Sequence, residues 1–224
     1  LDEFNVRKTN LLQALIEIKK EIDQTLTFRC GCRSGVCGSC AVRVNGIEKL
    51  ACKTNLNEND FIEPINNSNI LKDLVVDVSH ETLLISKLNL SIDANIESIQ
   101  VSQEDVKNID LQSNCILCNS CYSSCPVYEV NKEFLGPFAL TRALRYVNDK
   151  KLVNKATIVD SIQTNGIWDC TLCSACTLVC PQGIDPKTDI MQLQNISVQN
   201  GYSNPNIQTM DFSDEFGGFN PNGF

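Results

Sequence analysis

The spacing of the cysteines constrains this chain more than any other feature of its sequence. Twelve of the 13 cysteines fall into three groups, and the last two groups repeat one pattern: gaps of two, two and three residues, then a proline. The groups are Cys32, Cys37, Cys40 and Cys52; Cys115, Cys118, Cys121 and Cys125; and Cys170, Cys173, Cys176 and Cys180. Thiolates that converge so closely are typical of iron–sulfur ligands. The pattern therefore predicts a protein that transfers electrons.

The first group has the spacing of a plant-type [2Fe–2S] site, with four residues between Cys32 and Cys37 and a remote fourth cysteine. A hairpin explains how that fourth cysteine returns. Asn45-Gly46 is a strong two-residue turn between alternating segments at 41–44 and 47–50. Pairing about this turn carries the chain back toward Cys40, so we expect Cys52 to lie beside the loop that holds the other three ligands.

The two repeated groups match the bacterial ferredoxin pattern, in which the fourth cysteine binds the other cluster. We therefore predict two [4Fe–4S] sites with exchanged fourth ligands; the second would be [3Fe–4S] if Cys173 is not a ligand. The predicted sets are Cys115, Cys118, Cys121 and Cys180 for the first site, and Cys125, Cys170, Cys173 and Cys176 for the second. Zinc is disfavoured because four-cysteine zinc sites usually show two separated pairs. Disulfides at these spacings would close strained small loops.

Three further residues invite a functional interpretation. Cys30 lies two residues before Cys32, and we expect a thiol that is not a ligand; a substitute ligand or a redox sensor is the alternative. His80 is the only histidine, so a Rieske site is excluded and a structural role is expected. Trp168 precedes Cys170 and is expected to cover the cluster, with contact to a quinone head group as the alternative.

Charge, apolar runs and nucleotide-binding motifs limit the classes of partner and ligand that this chain is expected to bind. The net charge is −8 and the basic residues form no stripe, which argues against nucleic acid and favours a basic patch on a protein partner. No apolar run approaches the roughly 18 residues that span a bilayer, so we expect no transmembrane segment in this chain. Neither a GxGxxG sequence nor a P-loop occurs, so we expect no flavin or nucleotide here.

The pattern of apolar residues predicts an α+β protein in three parts. Residues 1–80 form a [2Fe–2S] domain, with a helix at 10–21 and strands at 26–28 and 74–78. Residues 81–194 form a helical domain with two [4Fe–4S] sites, including helices that start at Pro137 and cover 155–163. The segment 195–224 is rich in Asn, Gly and Ser, and we expect a flexible tail.

Several segments resemble the iron–sulfur subunit of succinate dehydrogenases and fumarate reductases. They are CRSGVCGSC (32–40), NGIEKLACKT (45–54), KDLVVDVSH (72–80), CILCNSCYSSCPVY (115–128), EFLGPFAL (133–140) and CPQGIDP (180–186). The resemblance spans residues 2–189. It implies an N-terminal β-grasp domain of plant-ferredoxin type, whose first strand we expect to be missing, and a C-terminal all-α domain of bacterial ferredoxin type.

The same resemblance implies a relay of electrons through three clusters. One partner would be a FAD-containing flavoprotein that carries the dicarboxylate site, and the other a quinone-linked membrane subunit. This chain would have no catalytic residue of its own. The expected location is the cytoplasmic face of the membrane as a peripheral protein; the alternative is the periplasmic face, by export together with the flavoprotein.

Two departures from the family pattern are informative. Cys173 stands where the family usually has another residue, so we expect a second [4Fe–4S] cluster, as in the non-classical, methylmenaquinol:fumarate reductase-like members. Their membrane-side partner resembles a heterodisulfide reductase subunit. Val127, Tyr128 and Glu129 occupy the place of the family's quinone-contacting tryptophan, so no quinone site is carried over. The alternatives are a relay subunit of a related thiol- or hydroxyacid-linked complex, and a metal-stapled interaction module without redox activity.

Overall fold

The N-terminal part begins with a short helix whose apolar face supplies much of the local core. The computed structural model describes residues 2–88, 90 and 99–206. Helix α1 (Leu11–Glu17) starts at Asn10, whose side chain accepts the backbone N–H of Gln13 as an N-cap. A π-helical turn (Ile18–Ile22) extends it. The helix predicted at 10–21 is thus confirmed.

A three-stranded antiparallel sheet packs on this helix. Its strands are β1 (Ala41–Val44), β2 (Ile47–Leu50) and β3 (Ile62–Glu63), in the order β2-β1-β3. Asn45 and Gly46 both have positive φ, 52° and 80°, which suits the two-residue turn predicted between β1 and β2. Val44 pairs with Ile47, so the predicted register of the hairpin is confirmed.

A second sheet has only two strands, β4 (Ile70–Lys72) and β5 (Val75–Val76). The strand predicted at 74–78 is therefore present but shorter. The strand predicted at 26–28 is wrong, because this segment belongs to neither sheet. Its backbone pairing with the β5 region consists of one bond, from the N–H of Leu74 to the carbonyl of Thr27 at 3.2 Å.

The remaining regular elements of the described residues are helices. They are α2 (His80–Lys87), α3 (Gln103–Ser113), α4 (Ser120–Ser123), α5 (Pro126–Val130), α6 (Pro137–Val147), α7 (Lys155–Ser161), α8 (Ala175–Leu178) and α9 (Pro186–Gln199). Pro137 is the first residue of α6, as predicted, and α7 ends two residues earlier than expected. Among the described residues, no helix is both long enough and apolar enough to cross a membrane.

The core of the helical part lies between α6 and α9. Leu140, Leu144 and Leu193 are fully buried there. A polar contact joins three helices at the edge of this core, since the buried carboxylate of Asp189 accepts bonds from Thr141 Oγ1 at 2.8 Å and from Gln112 Nε2 at 2.9 Å. Because these two donors lie on α6 and α3, Asp189 fixes α9 against both helices.

Part of the segment expected to be a flexible tail is packed instead. Helix α9 continues to Gln199, and the buried Ser197 accepts a bond from Gln163 Nε2 at 2.9 Å. Beyond the helix, the Tyr202 hydroxyl donates to Asp160 at 3.0 Å. The helical unit therefore extends past residue 194, the predicted boundary, and the rest of the predicted tail, residues 207–224, lies outside the described residues.

Candidate iron–sulfur sites

The loop that carries the first three cysteines wraps its backbone around their sulfur atoms. Cys32 Sγ accepts the N–H groups of Ser34 and Val36, both at 3.4 Å, and Cys37 Sγ accepts the N–H of Cys32 at 3.4 Å. Residues with positive φ produce this curvature: Arg33, Gly35 and Gly38, at 59°, 82° and 72°. Glycine adopts positive φ readily, whereas Arg33 is exceptional, because non-glycine residues with positive φ are uncommon.

The β1–β2 hairpin delivers the fourth cysteine of this group. Cys52 lies in a 3₁₀ turn (Ala51–Lys53) directly after β2, and the N–H of Ala51 donates to the carbonyl of Cys40 at 2.9 Å. Asn10 Nδ2 donates to the carbonyl of Cys52 at 3.1 Å and ties the turn to the start of α1. The predicted return of the chain toward Cys40 is confirmed, while the ligand role of Cys52 stays a prediction.

The thiols of this first group differ strongly in acidity. The hydroxyl of Ser34 and the N–H groups of Ser34 and Val36 lower the pKa of Cys32 to about 6. Burial raises the pKa of Cys40 to about 11. Thiolates, not thiols, bind metal, and a bound cation deprotonates a coordinating thiol. The donors thus fit a [2Fe–2S] cluster, whose positive iron atoms would keep Cys40 ionised.

The eight cysteines of the repeated motifs line two separate cavities. The first cavity is lined by Cys115, Cys118, Cys121 and Cys180. The second is lined by Cys125, Cys170, Cys173 and Cys176. Each cavity takes its fourth cysteine from the other motif, which is the grouping predicted from the bacterial ferredoxin pattern. Cys173 belongs to the second set although it is exposed.

The two motifs also share a backbone conformation that the sequence did not reveal. Leu117 and Asn119 have φ of 53° and 62°, and the corresponding Leu172 and Ser174 have φ of 53° and 69°. Leucine rarely adopts positive φ, so no propensity rule indicates it. In the second motif this conformation directs the N–H of Leu172 toward Cys170 Sγ, at 3.4 Å. Short helices α4 and α8 follow at equivalent positions and pack on each other.

Both cavities are apolar, which raises the pKa of their thiols. Burial raises the pKa of Cys176 to about 12 and that of Cys121 well above its usual range. Phe138 and Ile184 are among the lining residues of the first cavity, and Phe134 and Ile190 among those of the second. Burial also raises the pKa of Cys115, Cys118, Cys125 and Cys170. Four thiolates in such a place would require a compensating cation, and the cluster iron would supply it.

The arrangement of the cysteines in these sites differs from that of a site for a single metal ion. Within the described parts of the chain, no group of three or more His, Cys, Asp or Glu side chains is arranged to hold a single metal ion. In a [4Fe–4S] cluster each cysteine binds a different iron atom, so the sulfur atoms of one set stand farther apart than around one zinc ion.

The three other residues singled out in the sequence line neither cavity. Cys30 is exposed. His80 packs edge-on against Tyr122, with ring centroids 5.1 Å apart, and burial lowers the pKa of the imidazole, which suits the structural role expected of it. Trp168 packs against the helical core and donates from Nε1 to Gln163 Oε1 at 2.8 Å, in the turn after α7.

Comparisons with known proteins agree with these two kinds of site. Residues 1–82 match the family described as "2Fe-2S iron-sulfur cluster binding domain", and residues 112–184 match the "4Fe-4S dicluster domain" family. The chain also resembles one chain of the Mycobacterium smegmatis Sdh1 complex in the apo form, with a TM-score of 0.78 and 23% identity over 92% of this chain and 90% of that one. At this identity the likeness shows a common fold.

Two curated relatives are more similar in sequence. The fumarate reductase iron-sulfur subunit of Haemophilus influenzae is 38% identical over 205 residues, covering 83% of this chain and 80% of the relative. The 8-methylmenaquinol:fumarate reductase iron-sulfur subunit of Wolinella succinogenes is 34% identical over 216 residues, covering 90% of this chain and 68% of the relative. The chain therefore belongs to the family of fumarate reductase iron–sulfur subunits.

Proposed function

We propose that this protein is the electron-transfer subunit of a complex of the fumarate reductase or succinate dehydrogenase type. One observation carries the proposal: a single chain brings together a plant-type cysteine loop and two cavities that exchange their fourth cysteines. When bound, iron–sulfur clusters accept and release single electrons, and the protein tunes and insulates them. The chain thus supplies the conducting part, and the dicarboxylate chemistry belongs to a FAD-containing partner.

The residues around each site perform the tuning. The N–H groups of Ser34 and Val36 would stabilise the extra negative charge of a reduced [2Fe–2S] site. In the first cavity, Phe138 and Ile184 exclude water from the thiolates. The cysteine that completes the second cavity from the first motif, Cys125, accepts the N–H of Tyr128 at 3.5 Å as the N-cap of α5. These ligand assignments are part of the proposal.

The second helical site is proposed to hold a [4Fe–4S] cluster because Cys173 lines its cavity. A [4Fe–4S] cluster at this end would have a lower potential than [3Fe–4S] and would suit a low-potential quinone. Similarity to the methylmenaquinol-type relative supports this choice. We further propose a quinone-linked, membrane-side partner similar to a heterodisulfide reductase subunit. The chain would then be peripheral at the cytoplasmic face, or at the periplasmic face after export with the flavoprotein.

A related thiol- or hydroxyacid-linked oxidoreductase remains the second candidate. Relay subunits of glycerol- or glycolate-oxidising systems often keep the double cysteine motif but lack the plant-type loop. The loop from Cys32 to Cys40, with Cys52 returned to it by the hairpin, favours the dicarboxylate complexes over those systems. Three assays of the purified complex distinguish the candidates: fumarate reduction with a quinol as electron donor, fumarate reduction with thiols as electron donor, and oxidation of a hydroxyacid.

The first experiment is EPR spectroscopy on the anaerobically purified protein, together with iron and zinc analysis. We expect no three-iron signal after mild oxidation, and one [2Fe–2S] and two [4Fe–4S] signals after reduction. A three-iron signal at full stoichiometry would refute the role of Cys173. A colourless protein loaded with zinc would refute the electron-transfer function. Fumarate reduction by a quinol, measured with the complete complex, tests the activity itself.

A further inference from the structure

The backbone of the plant-type loop touches the wall of the first [4Fe–4S] site at Gly38. A Cβ atom built on Gly38 would lie 2.6 Å from the carbonyl oxygen of Ile116 and 3.0 Å from Cys118 Cα. Ile116 and Cys118 both line the first cavity. No side chain therefore stands between the loop of Cys37 and Cys40 and the loop of Cys118, and any residue larger than glycine would push the two loops apart.

A second contact holds the same loop from the other side of Cys37. Gln182 Nε2 donates to the carbonyl of Gly35 at 3.0 Å. Gln182 follows Cys180 and Pro181 and also lines the first cavity. Gly35 and Gly38 thus flank Cys37, and each meets the first cavity through a different part of its wall. Ile116 and Cys118 in addition pack against the N-terminal core cluster that contains Cys40.

We propose that Gly38 and Gln182 are positioning residues that set the separation between the [2Fe–2S] site and the first [4Fe–4S] site. The Gly38–Cys118 contact is then the route along which an electron passes between the two cysteine sets. One site loses one electron and the other gains it, and no bond forms or breaks. Because the rate of electron tunnelling falls steeply with distance, a shift of the loop by a fraction of an ångström slows the transfer. The inference rests on the proposed function.

The competing explanation is purely local: Gly38 would be needed only for its φ of 72°, and Gln182 only for one more hydrogen bond. The chain offers a matched control for each. Gly201 has φ of 88° and nothing within 4 Å of a built Cβ, and it lines neither cavity, so Gly201→Ala adds the same kind of backbone strain without a clash. Gln194 Nε2 donates to the carbonyl of Ile167 at 2.8 Å, so Gln194→Leu removes the same kind of bond far from the loop contact.

The experiment compares four variants of the full, cluster-loaded protein: Gly38→Ala, Gln182→Leu and their controls Gly201→Ala and Gln194→Leu. Iron content, the EPR spectrum of each cluster and each midpoint potential are measured first. Two further measurements report the separation: the faster spin relaxation that a reduced neighbour causes in the [2Fe–2S] signal, and the rate of electron equilibration after pulsed photoreduction. We expect both to fall in Gly38→Ala and Gln182→Leu and to stay at the wild-type level in the controls, with iron content and potentials unchanged.

Other outcomes have distinct meanings. Wild-type relaxation and rates in both Gly38→Ala and Gln182→Leu would overturn the inference. An equal loss in the controls would also overturn it, since general strain would then explain the effect. Loss of a cluster from both test variants would overturn it by assigning these residues to cluster retention. A wild-type protein without iron–sulfur signals would instead refute the proposed function, and this inference with it.

Discussion

The hydroxyl of Ser123 donates a hydrogen bond of 2.6 Å to Glu48 Oε1, and both side chains are buried where the hairpin meets α4. Ser123 Oγ also accepts the N–H of Asn66 at 2.7 Å, and the guanidinium of Arg43 lies 3.5 Å from the same carboxylate oxygen. Ser123 lies on α4, shortly after Cys121, and Glu48 lies on β2, before the turn that holds Cys52. This network therefore joins the two cysteine-bearing domains.

Ser123→Ala is expected to destabilise the protein. It removes the acceptor of the Asn66 N–H and a donor to the buried Glu48 carboxylate, which costs about 1–3 kcal/mol. Chemical denaturation of the cluster-loaded protein, followed by the cluster absorbance, measures the effect. Ser161→Ala is the matched control because Ser161 Oγ donates within its own helix, to the Ile158 carbonyl at 2.8 Å. Equal shifts in the two variants would contradict the importance of the interface bond.

Cys173→Ala is expected to convert the second [4Fe–4S] cluster into [3Fe–4S]. Three cysteines would remain in that cavity, Cys125, Cys170 and Cys176, and Cys173 is the exposed member of the set. EPR of the mildly oxidised variant should show a three-iron signal, which we expect to be absent from the wild type. An unchanged [4Fe–4S] spectrum would mean that another group holds the fourth iron.

Cys30→Ala is expected to keep all three clusters. The Cys30 side chain is exposed, and the loop N–H groups converge on Cys32 and Cys37 instead. Iron analysis and EPR of the purified variant provide the measurement, and Cys32→Ala, which should lose the [2Fe–2S] signal, provides the comparison. Loss of that signal from Cys30→Ala as well would identify Cys30 as a ligand or as a residue essential for cluster insertion.

Removal of the clusters is expected to expose a large difference in thiol reactivity within the first group. The pKa of Cys32 is lowered from 9.0 to about 6, so its thiolate predominates at pH 7, whereas the pKa of Cys40 is raised to about 11. In cluster-free protein, alkylation of Cys32 by iodoacetamide should therefore rise with pH through about 6, and Cys40 should stay unmodified at pH 7. Mass spectrometry identifies the alkylated residue.

Ser34→Ala tests the cause of this difference. The Ser34 hydroxyl makes the largest contribution to the low pKa of Cys32, so its removal should move the alkylation profile to higher pH. In the cluster-free protein without this substitution, alkylation of Cys40 as fast as that of Cys32 would show that the loop loses its hydrogen bonds once the metal is removed.

The features that could be predicted from the sequence depend on short-range geometry. Asn45-Gly46 accepts positive φ at both positions, so the hairpin and its register followed directly. The exchanged grouping of Cys125 and Cys180 followed from the repeated spacing, and the two cavities have that composition. In both cases the residue types and their spacing along the chain leave few alternative arrangements of the backbone.

The features that were missed depend on contacts between distant segments. The polar composition after residue 194 suggested a tail, but Ser197 is buried and accepts a hydrogen bond from Gln163, a residue far away in the sequence. The segment at 26–28 has strand-like residues, but it belongs to neither sheet, and its backbone bonds are one to Leu74 and one to the nearby Asp23. Nothing near Gly38 in the sequence indicates Ile116 as its neighbour, since that contact exists only after the two domains dock.

The exchange of fourth cysteines has a consequence for how the protein is assembled. Neither motif can complete a cage alone, because Cys180 belongs with the first set and Cys125 with the second. Bound clusters would therefore close two nested loops of the chain, with the loop from Cys125 to Cys170 inside the loop from Cys121 to Cys180. Closing such loops restricts the unfolded ensemble as a cross-link does. A fragment that ends before Cys170 would retain three cysteines of one cage and a single cysteine of the other. Maturation of the helical domain is thus expected to be all-or-none, with both cofactors inserted in one cooperative folding event.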